Sequence, residues 1–243
     1  MVGLLPFDTA VRLGSVAGRL SRHVQPSKAM ALGANLARVR PDATPQDIDR
    51  LVADGFASYG RYWVETLRLP GLDAELIDAR FSVEGRHHVI ASREAGYGPI
   101  MVLPHLGGWE WAAAWLTRVD HLGVTAVVED LQPPDVFDWF AELRATYGIE
   151  VVRLGPDAFG PLVDAVRRRQ VVCLLGDRDL TGNGVEVDLF GETTVLPTGP
   201  ALLSRRTGAP LHVTAVYHDG KGYHCHVGPP LWPDTSKPLR AAL

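Results

Sequence analysis

GPIMVLPHLGGWEWAAAWLTRV, residues 98–119, changes its period midway. An apolar run from Ile100 to Leu103 reads as a strand. Beyond two glycines, the Trp- and Ala-rich segment with a single glutamate reads as a helix. The same alternation continues outward. GVTAVVED is followed by PPDVFDWFAELRATYG, IEVVRLG by DAFGPLVDAVRRRQ, and then comes VVCLLGDRD. Strand, helix, strand, helix predicts an α/β fold with a central, mostly parallel sheet flanked by helices. VEVDLF, GPALLSRRTGA, PLHVTAVYHD and GYHCHVG predict a further strand, a helix and a final strand pair. Upstream, TPQDIDRLVADGFASYGRYWVETLRLP predicts a long helix with Thr44 as N-cap, Pro45 at its first position, and Pro70 and Gly71 closing it.

Charge divides the chain unevenly. Residues 1–40 carry Arg12, Arg19, Arg22, Lys28, Arg38 and Arg40 against one acid, Asp8, while the whole chain has a net charge of −4. A basic, amphipathic helical arm over 1–40 and a catalytic domain over 41–243 are therefore expected, with the arm meeting an anionic membrane surface. An ordinary helix with a solvated basic face fits the same charges. The acidic remainder gives no case for nucleic acid. Two cysteines, Cys173 and Cys225, make no disulfide framework or paired zinc motif and fit a reducing compartment. No run suits a spanning helix, and the first residues lack the basic and apolar regions of an export signal. PDTSKPLRAAL reads as the start of another amphipathic segment, so the chain is expected to be truncated at its C-terminus.

Ligands of parallel sheets bind where strands end and helices begin. His105 falls there, ahead of Gly107 and Gly108, which permit a tight turn and close approach of backbone to a ligand. Such a histidine can act as base on a bound hydroxyl while nearby amides face developing negative charge. Asp177, with Arg178 and Asp179, ends a second strand and can orient the imidazole if the two strand ends meet. An exposed loop histidine and a solvated DRD turn are the plainer readings of the same residues. Glu110 sits five helical steps from His105, a rotation of about 140°, and need not face it. Trp109, Trp111 and Trp115 fit either core packing or the wall of an acyl tunnel. His224 and His226 share a strand face and could ligate zinc, but such pairs are usually just exposed, and no metal is expected. No calcium-loop register, dinucleotide fingerprint, G-x-S-x-G elbow or Walker loop is present. Cys173 and Ser204 lack the setting of a nucleophile.

HLGGWE, a histidine with an acid five positions on, resembles the H-x4-[D/E] motif of glycerolipid-type acyltransferases. NLARV, SYGRYWVETLRLP, VLPHLGGWEWA, GDRDLTGNGVEVDLFG and GPALLSRRTGAPLHV extend the likeness from about residue 35 to 230. Together they resemble the bacterial lipid A late acyltransferases and, within that branch, the phosphatidylinositol mannoside acyltransferases. The resemblance implies transfer of a long acyl chain from acyl-CoA, a co-substrate rather than a resident cofactor, to a mannose hydroxyl. The implied acceptor is a phosphatidylinositol mannoside or related glycolipid, and the implied setting is the cytoplasmic face of the cell membrane, peripherally. It maps the catalytic histidine onto His105, the motif acid onto Glu110 and the histidine's partner onto Asp177, where the family carries glutamate. Glu129, Arg144, Arg178 and Asp179 match substrate-binding positions. Transfer to a lipid A precursor, acyl-CoA hydrolysis and a non-catalytic lipid-binding role are the alternatives.

Overall fold

The computed structural model describes residues 5–180, 182–220 and 222–236, in two compact units. The first comprises the chain up to Gly71 together with Asp188–Glu192. Its helices are α1 (Phe7–Ser21), α2 (Pro26–Val39) and α3 (Pro45–Arg68). Thr44 caps α3 as expected: its hydroxyl accepts the Asp47 amide at 3.2 Å while the Asp47 carboxylate accepts the Thr44 amide at 3.2 Å. The helix stops at Arg68, and Leu69–Gly71 form a 3-10 turn.

The basic segment is two helices, and α1 is packed along α3. Gly14 and Gly18 allow this approach: a Cβ on Gly18 would sit 2.2 Å from the Phe56 carbonyl oxygen, and one on Gly60 equally close to that of Gly14. Ion pairs secure the contact, Arg19 to Asp54 and Arg22 Nη1 to Asp49 Oδ1 at 3.0 Å. These two guanidiniums therefore complement acids of α3. On the other side of the helix Leu13, Val16 and Leu20, with Val24 just past its end, are 55–80% exposed.

The second unit is the α/β body expected from the alternation. Its strands are β1 (Phe81–Glu84), β2 (Ile100–Leu103), β3 (Val124–Val128), β4 (Ile149–Arg153), β5 (Val171–Leu175), β8 (Leu211–His218) and β9 (Tyr223–Val227). They form one sheet in the order β1-β9-β8-β2-β5-β3-β4, parallel at every pairing except β8 with β9. Strands β6 (Val185–Leu189) and β7 (Glu192–Leu196) make a separate hairpin. The intervening helices are α4 (Ala74–Ala79), α5 (Arg86–Glu94), α6 (Trp109–Arg118), α7 (Pro134–Ala145), α8 (Phe159–Arg167) and α9 (Gly199–Thr207). The segment expected in PDTSKPLRAAL lies mostly outside the described residues.

Opposite sheet faces hold different cores. Ile100, Val172 and Leu174 pack with Leu162, Val166 and Leu203 of α8 and α9. On the other face Met101, Leu103, Cys173, Val216 and Cys225 meet α6 around an apolar void of about 40 Å³ that Trp109 and Trp115 also line. Trp109, Trp111 and Trp115 are each at most 8% exposed, and the indole N–H groups of the latter two donate to the Ile77 carbonyl and the Asp78 carboxylate. They are core residues. Arg86, Asp120 and Thr214 also border the void, which is far too small for a long acyl chain.

One buried polar pair couples this core to pH. His212 is fully buried; its Nδ1–H donates to the Gly228 carbonyl at 3.0 Å, so Nε2 accepts from the Ser92 hydroxyl at 3.0 Å. Burial, reinforced by the nearby His88, lowers the His212 pKa below the ordinary histidine value, against the pull of its bond to Gly228. The unfolded chain then takes up a proton that the folded chain refuses. Stability from this residue is complete above about pH 6.5 and falls as the pH drops below it, by at most about 1.4 kcal/mol per pH unit for one proton. Thermal unfolding between pH 8 and 5 should show a shallower decline for His212→Gln than for the unsubstituted chain; parallel curves would assign the acid sensitivity to other groups.

Candidate active site

Parallel pairing of β2 with β5 brings the two strand ends together. Leu103 stands opposite Leu175, and the Gly176 amide donates to the Leu103 carbonyl at 2.9 Å. His105 and Asp177 each lie two residues past that matched pair, so 72 positions of sequence separation close to contact. Asp177 grips the histidine twice: Oδ1 lies 2.7 Å from Nδ1, and Oδ2 accepts the His105 backbone amide at 3.0 Å. An ionised carboxylate only accepts, so Nδ1 carries hydrogen and Nε2 of the neutral ring is left with its lone pair. The ring is about half exposed. It is oriented without being sealed off.

The glycines after His105 are steric requirements. Gly107 has φ +62°, and a Cβ there would lie 2.2 Å from the Val216 carbonyl oxygen; a Cβ on Gly108 would lie 2.6 Å from the Tyr223 ring. At Gly107 any side chain would meet backbone and push the turn off the sheet, displacing His105, while at Gly108 the Tyr223 ring would have to give way.

His105 borders a cavity of about 250 Å³ on the α8 and α9 side of the sheet. Leu154, Phe159, Leu162, Leu174 and Pro200 supply apolar wall, and Glu129, Arg178 and Asp179 add charge. This is close to the lower end of small-ligand pockets, about 300 Å³, and its mixture of greasy wall and few polar groups suits an amphiphile. Asp179 also shapes the loop, accepting the amides of Gly182 at 3.2 Å and Gly184 at 3.0 Å. Phe159, Leu162 and Pro200 were not singled out in the sequence. Only the sheet order, which sets α8 and α9 on the same face, makes them neighbours of His105.

Glu110 and Arg144 stand apart from this cavity wall. Glu110 is 1% exposed, and its Oε1 accepts from Arg144 Nη2 at 2.9 Å. The Arg144 guanidinium lies over the Trp109 ring at 5.0 Å and the Phe140 ring at 5.4 Å. Tyr147, buried beside them, has its phenol pKa raised chiefly by burial, with Glu110 adding to the rise. The carboxylate bonded to His105 is thus that of Asp177, while Glu110 is bonded to Arg144.

Both thiols are pushed up to about 12 by burial, so neither Cys173 nor Cys225 offers a thiolate near neutral pH. His226 Nδ1 lies 3.2 Å from Glu84 Oε2, and the Ser82 hydroxyl lies 2.8 Å from His224 Nδ1. Among the described residues no group of three or more histidines, cysteines and acids is arranged to hold a metal ion. Nor is any described helix long and apolar enough to cross a membrane.

Comparison with known proteins agrees with this architecture. Residues 1–237 match the profile of the bacterial lipid A biosynthesis acyltransferases. A phosphatidylinositol mannoside acyltransferase of Mycobacterium tuberculosis, strain H37Rv, is 38% identical over 233 residues, 93% of this chain and 70% of that protein. The protein of the same name from Mycolicibacterium smegmatis is 38% identical over 209 residues, 84% of this chain and 67% of its own length. The chain belongs to the bacterial lipid A biosynthesis acyltransferase family and is an acyltransferase.

Proposed function

We propose that the chain transfers a long acyl group from acyl-CoA to a mannose hydroxyl of a phosphatidylinositol mannoside. The carrying observation is the His105–Asp177 clamp at the edge of an apolar cavity, with Nε2 left as acceptor. His105 takes the proton of the sugar hydroxyl, the oxygen attacks the thioester carbonyl, and the imidazolium then protonates the departing thiolate. Asp177 fixes the tautomer and stabilises the imidazolium. Glu129, Arg178 and Asp179 are the charged groups available to bind substrate at the cavity. The relatives' names support the mannoside as acceptor. The deciding experiment is mass spectrometry of products from purified protein given palmitoyl-CoA with and without phosphatidylinositol mannosides. Acylated mannoside formed only with both substrates supports the reading. Free fatty acid released equally without acceptor would make the protein a thioesterase, and no reaction would leave a lipid-binding role.

A two-tailed acceptor stays in its bilayer, so we place the enzyme peripherally at the cytoplasmic face of the membrane. The exposed row of Leu13, Val16, Leu20 and Val24 and the net basic segment around it support attachment through α1. Arg19 and Arg22 belong to the ion pairs with α3, which shifts the weight of the contact to the apolar row. Full burial of one such side chain is worth about 1.5–3 kcal/mol. Replacing Leu13, Val16 and Leu20 by serine should lower co-sedimentation with anionic vesicles more than tenfold, while transfer to detergent-dispersed acceptor persists. Vesicle binding unchanged by the triple substitution would place the membrane contact elsewhere.

A further inference from the structure

Strands β1, β9 and β8 carry a polar row that the acyl-transfer chemistry does not use. Val83, Cys225, Val227, Thr214 and Val216 line the void under α6, so the residues between them face the opposite way. That is the face on which Leu174 meets the His105 cavity. Pairing sets Ser82, His224 and Tyr217 in one line across the three strands and Glu84, His226 and Ala215 in the next. Ser82, Glu84, His226 and Tyr217 are exposed, and the Tyr217 ring meets that of His224 at a centroid distance of 5.3 Å. Glu84 Oε2 lies 3.2 Å from His226 Nδ1 and 3.9 Å from His224 Nε2. The row is continuous with the catalytic turn: a Cβ on Gly107, two residues after His105, would lie 2.9 Å from the Tyr217 Cα.

An aromatic face, two imidazoles, a hydroxyl and one carboxylate on rigid strands suit an uncharged polyol. The ring stacks on sugar C–H groups, and carboxylate and imidazole hydrogen-bond to neighbouring hydroxyls. The carboxylate repels phosphate, and an acyl chain would strip water from these polar groups while offering them no hydrogen bond in return. The two lines lie roughly 7 Å apart along the strands, a spacing comparable to a hexose with its hydroxyls. Resting on the reading of this chain as a glycolipid acyltransferase, we propose that the row Tyr217, His224, Ser82, His226 and Glu84 is the subsite for the sugar headgroup of the acceptor.

The test uses the full chain with phosphatidylinositol dimannoside and palmitoyl-CoA. Tyr217→Ala and Glu84→Gln should each raise the KM for the glycolipid about tenfold relative to the KM for the acyl donor, and Tyr217→Phe should restore the acceptor KM. Saturation-transfer NMR with the deacylated dimannoside headgroup, without acyl donor, should show contact with the unsubstituted chain and with His105→Ala, but not with Tyr217→Ala. An acceptor KM unchanged in both first variants, or headgroup contact that survives Tyr217→Ala, overturns the subsite. If the chain transfers no acyl group yet the headgroup contact depends on Tyr217, the proposed reaction fails and the subsite stands.

Discussion

His105→Ala is expected to lower acyl transfer by about 10²–10⁴-fold, the usual worth of a positioned general base, while moving the thermal midpoint by only a few degrees. Stability should hold because the ring is 44% exposed at a strand end, outside both cores. Asp177→Asn should be nearly as damaging although the substitution is isosteric. An amide NH₂ facing Nδ1 favours the tautomer in which Nε2 carries the hydrogen, and Nε2 of that ring cannot accept a proton from the proposed acceptor hydroxyl. Asp177→Glu separates reach from charge. Asp177 already meets both the ring and the backbone amide of His105, at 2.7 and 3.0 Å, so the shorter acid is fitted to this turn and the added methylene should cost activity in part. Initial rates at saturating substrate for the three variants decide the matter. His105→Ala retaining more than one-tenth of the unsubstituted rate would remove the base assignment. Asp177→Glu as inactive as Asp177→Asn would show that this site does not accommodate the longer acid.

How far a contact was legible depended on whether one repeating element or two distant ones had to be combined. The alternation around residues 98–179 sufficed for a parallel sheet and for strand ends at His105 and Asp177; that these two ends meet depends on β2 and β5 being neighbours in register, which the structure supplies. Thr44 and Pro45 were legible because capping is local. Strand β1 and hairpin strand β7 were not, because FSVE spans only four residues, ETTVL opens on three consecutive polar residues, and neither is more strand-like than many loops. The fates of Arg19 and Arg22 were hidden for a different reason: their partners, Asp54 and Asp49, lie on a helix whose rotation follows from Gly14, Gly18 and Gly60 meeting. Net charge over 1–40 counts these arginines as available to lipid. Geometry pairs them with acids.

Glu110 is where motif and surroundings invite different expectations, and breaking its pair with Arg144 is the second large effect. Glu110→Ala should cost about 3–5 kcal/mol of stability, because it strands a guanidinium whose side chain is only 10% exposed. In a chain of this size that lowers the thermal midpoint by roughly 10 °C. Loss of activity in that variant alone would say nothing of chemistry, since the N-terminal turn of α6, which follows the His105 loop, is loosened with it. The informative protein is the double variant Glu110→Met with Arg144→Leu. Apolar replacement of a whole buried pair is often neutral or stabilising, and these side chains can pack against Trp109 and Phe140, which already enclose the guanidinium. Its midpoint should return to within a few degrees of the unsubstituted chain. If its transfer rate also returns to within about tenfold, the motif acid serves as the buttress of α6 and His105 works with Asp177 alone. A double variant that is fully folded but as inactive as His105→Ala would instead give Glu110 or Arg144 a part in binding or turning over substrate, through a motion that opens the pair toward the cavity.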